Sequence, residues 1–227
     1  MSKIGKRHQQ NKTKVDPDRR YTVDEAVQLL KQFESPKFDE TVEISITLGV
    51  DPKKADEQVR GTFSLPKGIG KTQRVIAIAE GDRAEAARAA GADAVGSADL
   101  IKRLEEGWLE FEVIVTTPDM MRQVGKLGRI LGPKGLMPSP KSGTVTDDLT
   151  TAIKEFKAGK IEYRTDALGN INAPIGKRSF SAEDLITNVN AFLERIRESR
   201  PAAVKGRFIE KACLSSSMSP GIRLLVA

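Results

Sequence analysis

Positions 42, 44, 46 and 48 of the chain are Val, Ile, Ile and Leu, and Glu43, Ser45 and Thr47 stand between them. That two-residue period marks a strand with one buried and one wet face. Upstream, Thr22 and Glu25 have capping-box spacing and Ala26, Leu30 and Phe33 recur at helical intervals, which predicts a helix over 22–33. A second strand is predicted over 60–65, before Pro66, Lys67, Gly68, Ile69 and Gly70 break the pattern. Beyond the break, short apolar runs at 75–79, 94–95 and 113–115 alternate with helical stretches at about 82–91, 98–106 and 147–157, the last followed by Gly159. Strands that read as continuous apolar runs are buried on both faces, as in a parallel sheet covered by helices. From Lys160 onward, alternation returns at 161–164 and 171–173, around a turn at Leu168, Gly169 and Asn170. A helix capped by Ser181 then carries Leu185, Ile186, Val189, Phe192, Leu193 and Ile196 on one face, and a last strand includes 208–214.

The two ends of the chain thus share a helix-plus-strands style, while the middle alternates strand and helix. The architecture predicted is mixed, α+β and α/β: a split α+β domain from residues 21–66 plus 160–227, interrupted by an inserted α/β domain over 67–159. The two crossings, near 66–70 and 159, are expected to form a hinge.

Charge adds a partner to this picture. The 227 residues carry a net +6, spread as +5 over 1–20, −4 over 21–66, +1 over 67–158 and +4 over 159–227. Lys3, Lys6, Arg7, Lys12, Lys14, Arg19 and Arg20 occupy a stretch without apolar periodicity, read as a basic flexible tail that neutralises phosphates or simply solubilises. From Met120 to Thr146 there is no acidic residue, and Arg122, Lys126, Arg129, Lys134 and Lys141 are interleaved with five Gly and three Pro. Such a basic, loop-rich surface suits a phosphate backbone, because glycine lets the main chain approach closely and the cations supply charge; a solvated loop is the plainer alternative.

Composition removes most catalytic chemistries. A single Cys (Cys213) and a single His (His8) leave no disulfide framework, no zinc site of several Cys or His, and no supported Ser/His/Asp triad. Cys213, between Ala212 and Leu214, reads as a small strand residue. The run Gly68-Ile-Gly-Lys-Thr72 invites comparison with a phosphate-binding loop, but the required upstream glycine position is Leu65 and a strand, not a helix, is predicted after Thr72. No G-x-G-x-x-G is present, since Gly68 and Gly70 are followed by Gln73. Adjacent Asp147 and Asp148 read as helix caps rather than an acid/base pair. No apolar run approaches the ~20 residues of a membrane-spanning helix, and the first thirty residues hold no hydrophobic segment like a signal peptide, so a cytoplasmic location is expected.

With the enzyme motifs failing, a set of short motifs carries more. Lys37-Phe-Asp-Glu-Thr41, Gly61-Thr with Leu65-Pro66, Gly91-Ala-Asp93, Thr117-Pro-Asp-Met-Met121, the run from Gly125 through Gly132-Pro-Lys-Gly135 to Pro138, Gly143-Thr-Val-Thr146, Ala173-Pro-Ile-Gly-Lys177 and Ser215-Ser-Ser-Met218 occur in order over about residues 20–225. Together they closely resemble the family of the bacterial large-subunit ribosomal protein numbered one, the protein of the mobile rRNA stalk beside the tRNA exit site. The resemblance implies a non-enzymatic protein with a split rRNA-binding domain and a Rossmann-like, three-layer second domain on two hinge strands. It further implies stalk rRNA, exit-site tRNA and a leader mRNA of its own operon as partners, a monomer when free, no membrane, no metal and no cofactor.

Matched motif by motif, the resemblance puts the rRNA contacts on Lys37, Phe38, Thr41, Ser217, Met218 and Ser219, with Asp166 and Lys177 as additions. The chemistry is consistent: Phe38 and Met218 offer apolar surface to bases or sugars, Thr41 and Ser217 offer hydroxyls to 2′-OH groups, and Lys37 and Lys177 suit phosphates. Read from the residues alone, Phe38 suits a buried anchor at the strand start better than an exposed contact, and Met218 suits a core filler, although the Ser-rich, Pro-flanked surroundings of Met218 argue for exposure. Arg122, Lys126, Arg129, Lys134 and Lys141 are expected to face tRNA or other RNA. Three positions depart from the family pattern. Ser219 replaces a usual Gly, which puts a close backbone approach in doubt; Asn172 replaces a frequent His; and Ser139 replaces a frequent Asn.

Overall fold

The computed structural model describes residues 5–54 and 56–226. They divide into two compact units, Met1–Gly70 with Ile161–Ala227 and, between them, Lys71–Lys160. The breaks therefore fall at 70/71 and 160/161, a few residues later than the turn residues suggested.

In the first unit, α1 (Lys6–Thr13), α2 (Val23–Lys31), β1 (Thr41–Leu48) and β2 (Arg60–Ser64) precede the excursion, and β6 (Lys160–Arg164), β7 (Asn170–Lys177), α8 (Ala182–Glu198), β8 (Ile209–Ser216) and β9 (Ile222–Leu224) follow it. A four-stranded sheet has the order β7-β1-β8-β9, with antiparallel pairs throughout. Val42, Ile44, Ile46 and Leu48 are buried, as the alternation requires, against Ala26, Val27 and Leu30 of α2 and Leu185, Val189, Phe192 and Ile196 of α8. The Thr22/Glu25 capping box is closed, and the Ser181 side chain caps α8 at the Asp184 amide. β2 and β6 form a separate two-stranded sheet where the chain leaves and re-enters the unit. Arg60 and Glu162 bridge it at 2.7 Å, and buried Tyr163 packs edge-on against Phe192 with ring centroids 5.6 Å apart.

Three features differ from the sequence-based expectation. Residues 6–13 are helical, because Asn11 docks the segment through its side-chain amide. It accepts from the Glu34 amide (2.9 Å) and donates to the Glu34 carbonyl (3.0 Å), while Lys14 reaches the Gln32 carbonyl and Val15 packs on the core. Docking by a polar side chain leaves no apolar period to read. Of the expected free cations, Arg19 is paired with Glu25 at 2.7 Å, and Lys3 lies outside the described residues. β7 runs on through Pro174, which is tolerated because the register with β1 shifts between Val42 and Glu43, where Pro174 sits. β9 was too short to read.

In the second unit, β3 (Val75–Ile78), α3 (Asp82–Ala89), β4 (Ala94–Gly96), α4 (Ala98–Glu105) and β5 (Val113–Thr116) build a parallel three-stranded sheet of order β4-β3-β5. Ile76, Ile78 and Ile114 face α4 and the segment after β5, while Val75, Ala77 and Val115 face α3 and α7 (Leu149–Lys157). This is a helix–sheet–helix sandwich, and it explains the continuous apolar strands. The first half of the glycine-rich segment, expected to be loop-rich, is helical: α5 (Met121–Val124), a 3₁₀ turn at Gly125–Leu127 and α6 (Gly128–Leu131). Met120, Val124, Leu127 and Leu131, at helical spacing, bury one side of it. Asp148 caps α7 at the Thr151 amide, and Asp147 pairs with Arg83 at 3.1 Å. After Thr72 the chain enters β3 directly, so no helix N-terminus follows Gly68–Thr72.

Candidate nucleic-acid interface

β1 begins at Thr41, opposite Lys177 at the end of β7 and one residue from the Val42–Ser216 pair with β8. Three chain segments distant in sequence therefore meet at one end of the sheet. The Lys177 ammonium donates to the Thr41 hydroxyl (2.9 Å), the Thr41 amide donates to the Ser217 hydroxyl (3.2 Å), and the Ser217 amide returns to the Thr41 carbonyl (3.1 Å).

Beneath this cluster lies Glu40, 1% exposed. One carboxylate oxygen accepts from Arg178 at 3.0 Å and the other accepts the Met218 amide at 2.9 Å. The Arg178 guanidinium also caps the end of α2, donating to the carbonyls of Lys31 and Phe33. The Lys31 ammonium in turn donates to the carbonyls of Arg178 and Phe180, and its pKa is pushed below the ordinary lysine value by burial and by the nearby Arg178 charge. Asp39 accepts the amide and hydroxyl of Ser179. A buried ion pair thus fastens the 217–219 turn, the 37–40 segment and the end of β7 to each other. Sequence reasoning missed Glu40 and Arg178. A signal existed for Glu40, which shares the even-numbered phase of Val42, Ile44 and Ile46 and so sits on the core side of the strand.

The large apolar side chains of this cluster point outward. Phe38 is 54% exposed and Met218 51%. The buried anchor at the strand approach is instead Phe33. Lys37 is exposed. Position 219 does not use the backbone freedom of glycine: among the described residues no non-glycine residue has positive φ, and the Ser219 hydroxyl is turned back onto its own turn, accepting the Ser216 amide at 2.8 Å. Asn172 accepts the Ser45 hydroxyl at 2.7 Å, two strand rungs below the cluster.

Asp166 is not brought to this site. It lies before β7, at the end of that strand opposite Lys177, where it accepts the amides of Leu168 and Asn170 (both 2.8 Å) and closes the β6–β7 turn. Those amide bonds, Asn170 foremost, hold its carboxyl below the usual range. Arg122, Lys126, Arg129, Lys134 and Lys141 lie in the other unit; all five are exposed. A Cβ at Gly125 or Gly128 would meet nothing within 4 Å, so the backbone between these cations is bare. Among the described residues no group of His, Cys, Asp and Glu is arranged to hold a metal ion, and no helix is long and apolar enough to cross a membrane.

Residues 30–220 match the Ribosomal protein L1p/L10e family. The chain belongs to this family. The Large ribosomal subunit protein uL1 of Kosmotoga olearia is 52% identical over 224 residues, which cover 99% of this chain and 97% of that protein. Membership of the L1p/L10e family makes the chain a structural ribosomal protein and not an enzyme, and with it the nucleotide reading of Gly68–Thr72 ends.

Proposed function

We propose that this chain is a cytoplasmic constituent of the large ribosomal subunit that binds the rRNA of the mobile stalk through Lys37, Phe38, Thr41, Lys177 and the Ser217–Met218–Ser219 turn. One observation carries the reading: Phe38, two residues before buried Glu40, and Met218, whose amide Glu40 accepts, both keep their large apolar side chains half-exposed beside the Thr41–Lys177–Ser217 cluster. A flat ring and a polarizable thioether beside hydroxyls and ammonium groups suit bases, 2′-OH groups and phosphates. Asp166 is a further proposed rRNA contact, in the β6–β7 turn at the far end of β7 from this cluster. The five cations at 122–141, with bare backbone between them, suit a sugar–phosphate strand and are assigned to exit-site tRNA, whose release the protein assists. A leader mRNA that imitates the stalk site would use the same strand-end cluster and make the protein a repressor of its own operon. The free protein is a monomer.

The test is a salt-series titration of the full chain against a stalk-rRNA fragment and an unrelated hairpin of equal length. Preference for the fragment at physiological salt is the expected result. Equal affinities that collapse together as salt rises would mean that the basic segments bind any RNA and would remove the specific site.

A further inference from the structure

The second unit holds a cavity at one end of its parallel sheet. From β3 the chain turns into α3 and on to β4, on one side of β3. From β5 it turns the other way, into α5, and comes back on the far side of β5, where Thr116 and Val145 form a parallel bridge. Connections that leave two neighbouring strands in opposite directions open a crevice at their carboxyl ends, the place where open α/β sheets hold ligands. Here that crevice is a cavity of about 320 Å³ lined by Glu80, Asp82, Arg83, Thr117, Asp119 and Met120. Thr117 and Met120, 2% and 4% exposed, form its floor, and the four charged residues, all exposed, form its rim.

The floor carries an unused polar group. The Thr116 hydroxyl donates to the Ile78 carbonyl, whereas the hydroxyl of Thr117 has no hydrogen-bond partner among the described residues. A polar side chain buried to this degree normally has a partner, and the cavity is where a ligand would supply one. The charge of the rim selects the ligand. Arg83 is engaged by Asp119 at 3.3 Å and by Asp147, just beyond the Val145 bridge, at 3.1 Å. Glu80 and Asp82 make no ion pair among the described residues, and Asp82 opens α3, whose N-terminal dipole offsets only part of its charge. One guanidinium thus faces four carboxylates, in a chain whose net charge is +6. Such a rim repels phosphates, and among the described residues its acids are not grouped to hold a metal ion. We propose that this cavity binds a polyamine: one ammonium donates to the Thr117 hydroxyl, the methylene chain lies on Met120, and a second ammonium meets Glu80 at the rim. The site is distinct from both RNA candidates and needs no RNA to fill.

The test is a titration of the isotope-labelled full chain with spermidine, without RNA and at physiological salt, followed through the backbone amide resonances. Saturable shifts confined to residues 80–83 and 117–120 are expected, since a chain of net positive charge offers a cation no general attraction. Thr117→Val, which keeps the shape and removes the hydroxyl, should weaken binding about tenfold, as for a lost hydrogen bond to a charged group, and Thr117→Ser should restore it. Glu80→Gln, at an exposed position where the fold is not at stake, should weaken binding several-fold, while Glu85→Gln, an exposed acid of α3 outside the cavity, leaves it unchanged. Shifts that never saturate, or an equal loss for Glu85→Gln, would mean diffuse counterion attraction and overturn the proposal. Wild-type affinity in Glu80→Gln or in folded Thr117→Val overturns it as well. So does Mg²⁺ that reproduces the same confined shifts at equal ionic strength, because the cavity would then accept any small cation.

Discussion

The strand-end cluster and the basic 122–141 segment are both candidates for RNA, yet they are built in opposite ways. The first gathers Lys37, Thr41, Lys177 and Ser217 from three distant parts of the sequence and fixes them over a buried Glu40–Arg178 pair, with cations few and mostly engaged by their neighbours. The second is one contiguous stretch whose five exposed cations make no ion pair among the described residues and where a Cβ added at Gly125, Gly128 or Gly135 would meet nothing within 4 Å. A site with fixed hydroxyls, a flat ring and an internal counter-charge can discriminate, because its groups are pre-positioned and would be mismatched by the wrong partner. A row of free cations attracts any polyanion and loses its hold as salt rises. The comparison separates recognition from attraction, and each can be attacked separately.

The largest expected effect is on stability. Glu40→Ala leaves Arg178 uncompensated in a nearly buried position, for which a loss of about 3–5 kcal/mol is typical. Urea unfolding followed by circular dichroism should show it, while Trp108, in the other unit, reports an unchanged transition. An unshifted curve for Glu40→Ala would mean that the pair does not hold the turn. Next, Phe38→Ala and Met218→Ala should each weaken stalk-RNA binding by roughly 1–3 kcal/mol, in the range of base stacking on side chains. Their exposure predicts stability changes within about 0.5 kcal/mol. Wild-type affinity for both variants in filter binding would take them out of the site. Smaller still, Lys126→Ala with Arg129→Ala should lower the salt slope by about two for the stalk fragment and the unrelated hairpin alike, leaving the preference between them intact; a changed preference would assign discrimination to the basic segment and erase the contrast.

The smallest effect concerns pH. Asp166 is held below the usual carboxylate range by the amides of Asn170 and Leu168, so the contribution of its turn is fully present above the unfolded value near 3.9 and is lost as pH falls through the folded one. Amide exchange at Leu168 and Asn170 should accelerate only in that acid window. No histidine stands at the strand-end cluster, and Asn172, two strand rungs below it, accepts a hydrogen bond without titrating, so preference for the stalk fragment should be flat between about pH 5.5 and 8. A transition inside that interval would point to a titrating group the cluster does not contain.

The periodicities made most of the framework legible. Alternation at 42–48 and the one-sided face of 185–196 correspond to β1 and α8, and the apolar runs at 75–79 and 113–115 correspond to the two-sided burial of β3 and β5. Where reading failed, the stabilising contacts carried no period. Asn11 docks α1 by two amide bonds, and α5 and α6 hide their apolar spacing among glycines. Glu40 could have been noticed as a charge in the core phase of a strand, but its partner lies 138 residues away.

The sequence by itself determined the amphipathic and two-sided elements, because burial on one face or two imposes its period on neighbouring residues. It determined the family as well, through motifs that stay contiguous. Which side chains share a surface was decided only in three dimensions: register set Thr41 against Lys177, the Glu40 carboxylate set Met218 outward, and strand order set Arg223 in a row with Asn172. Those contacts join residues far apart along the chain, and no local pattern encodes a partner whose position depends on how every intervening segment has folded.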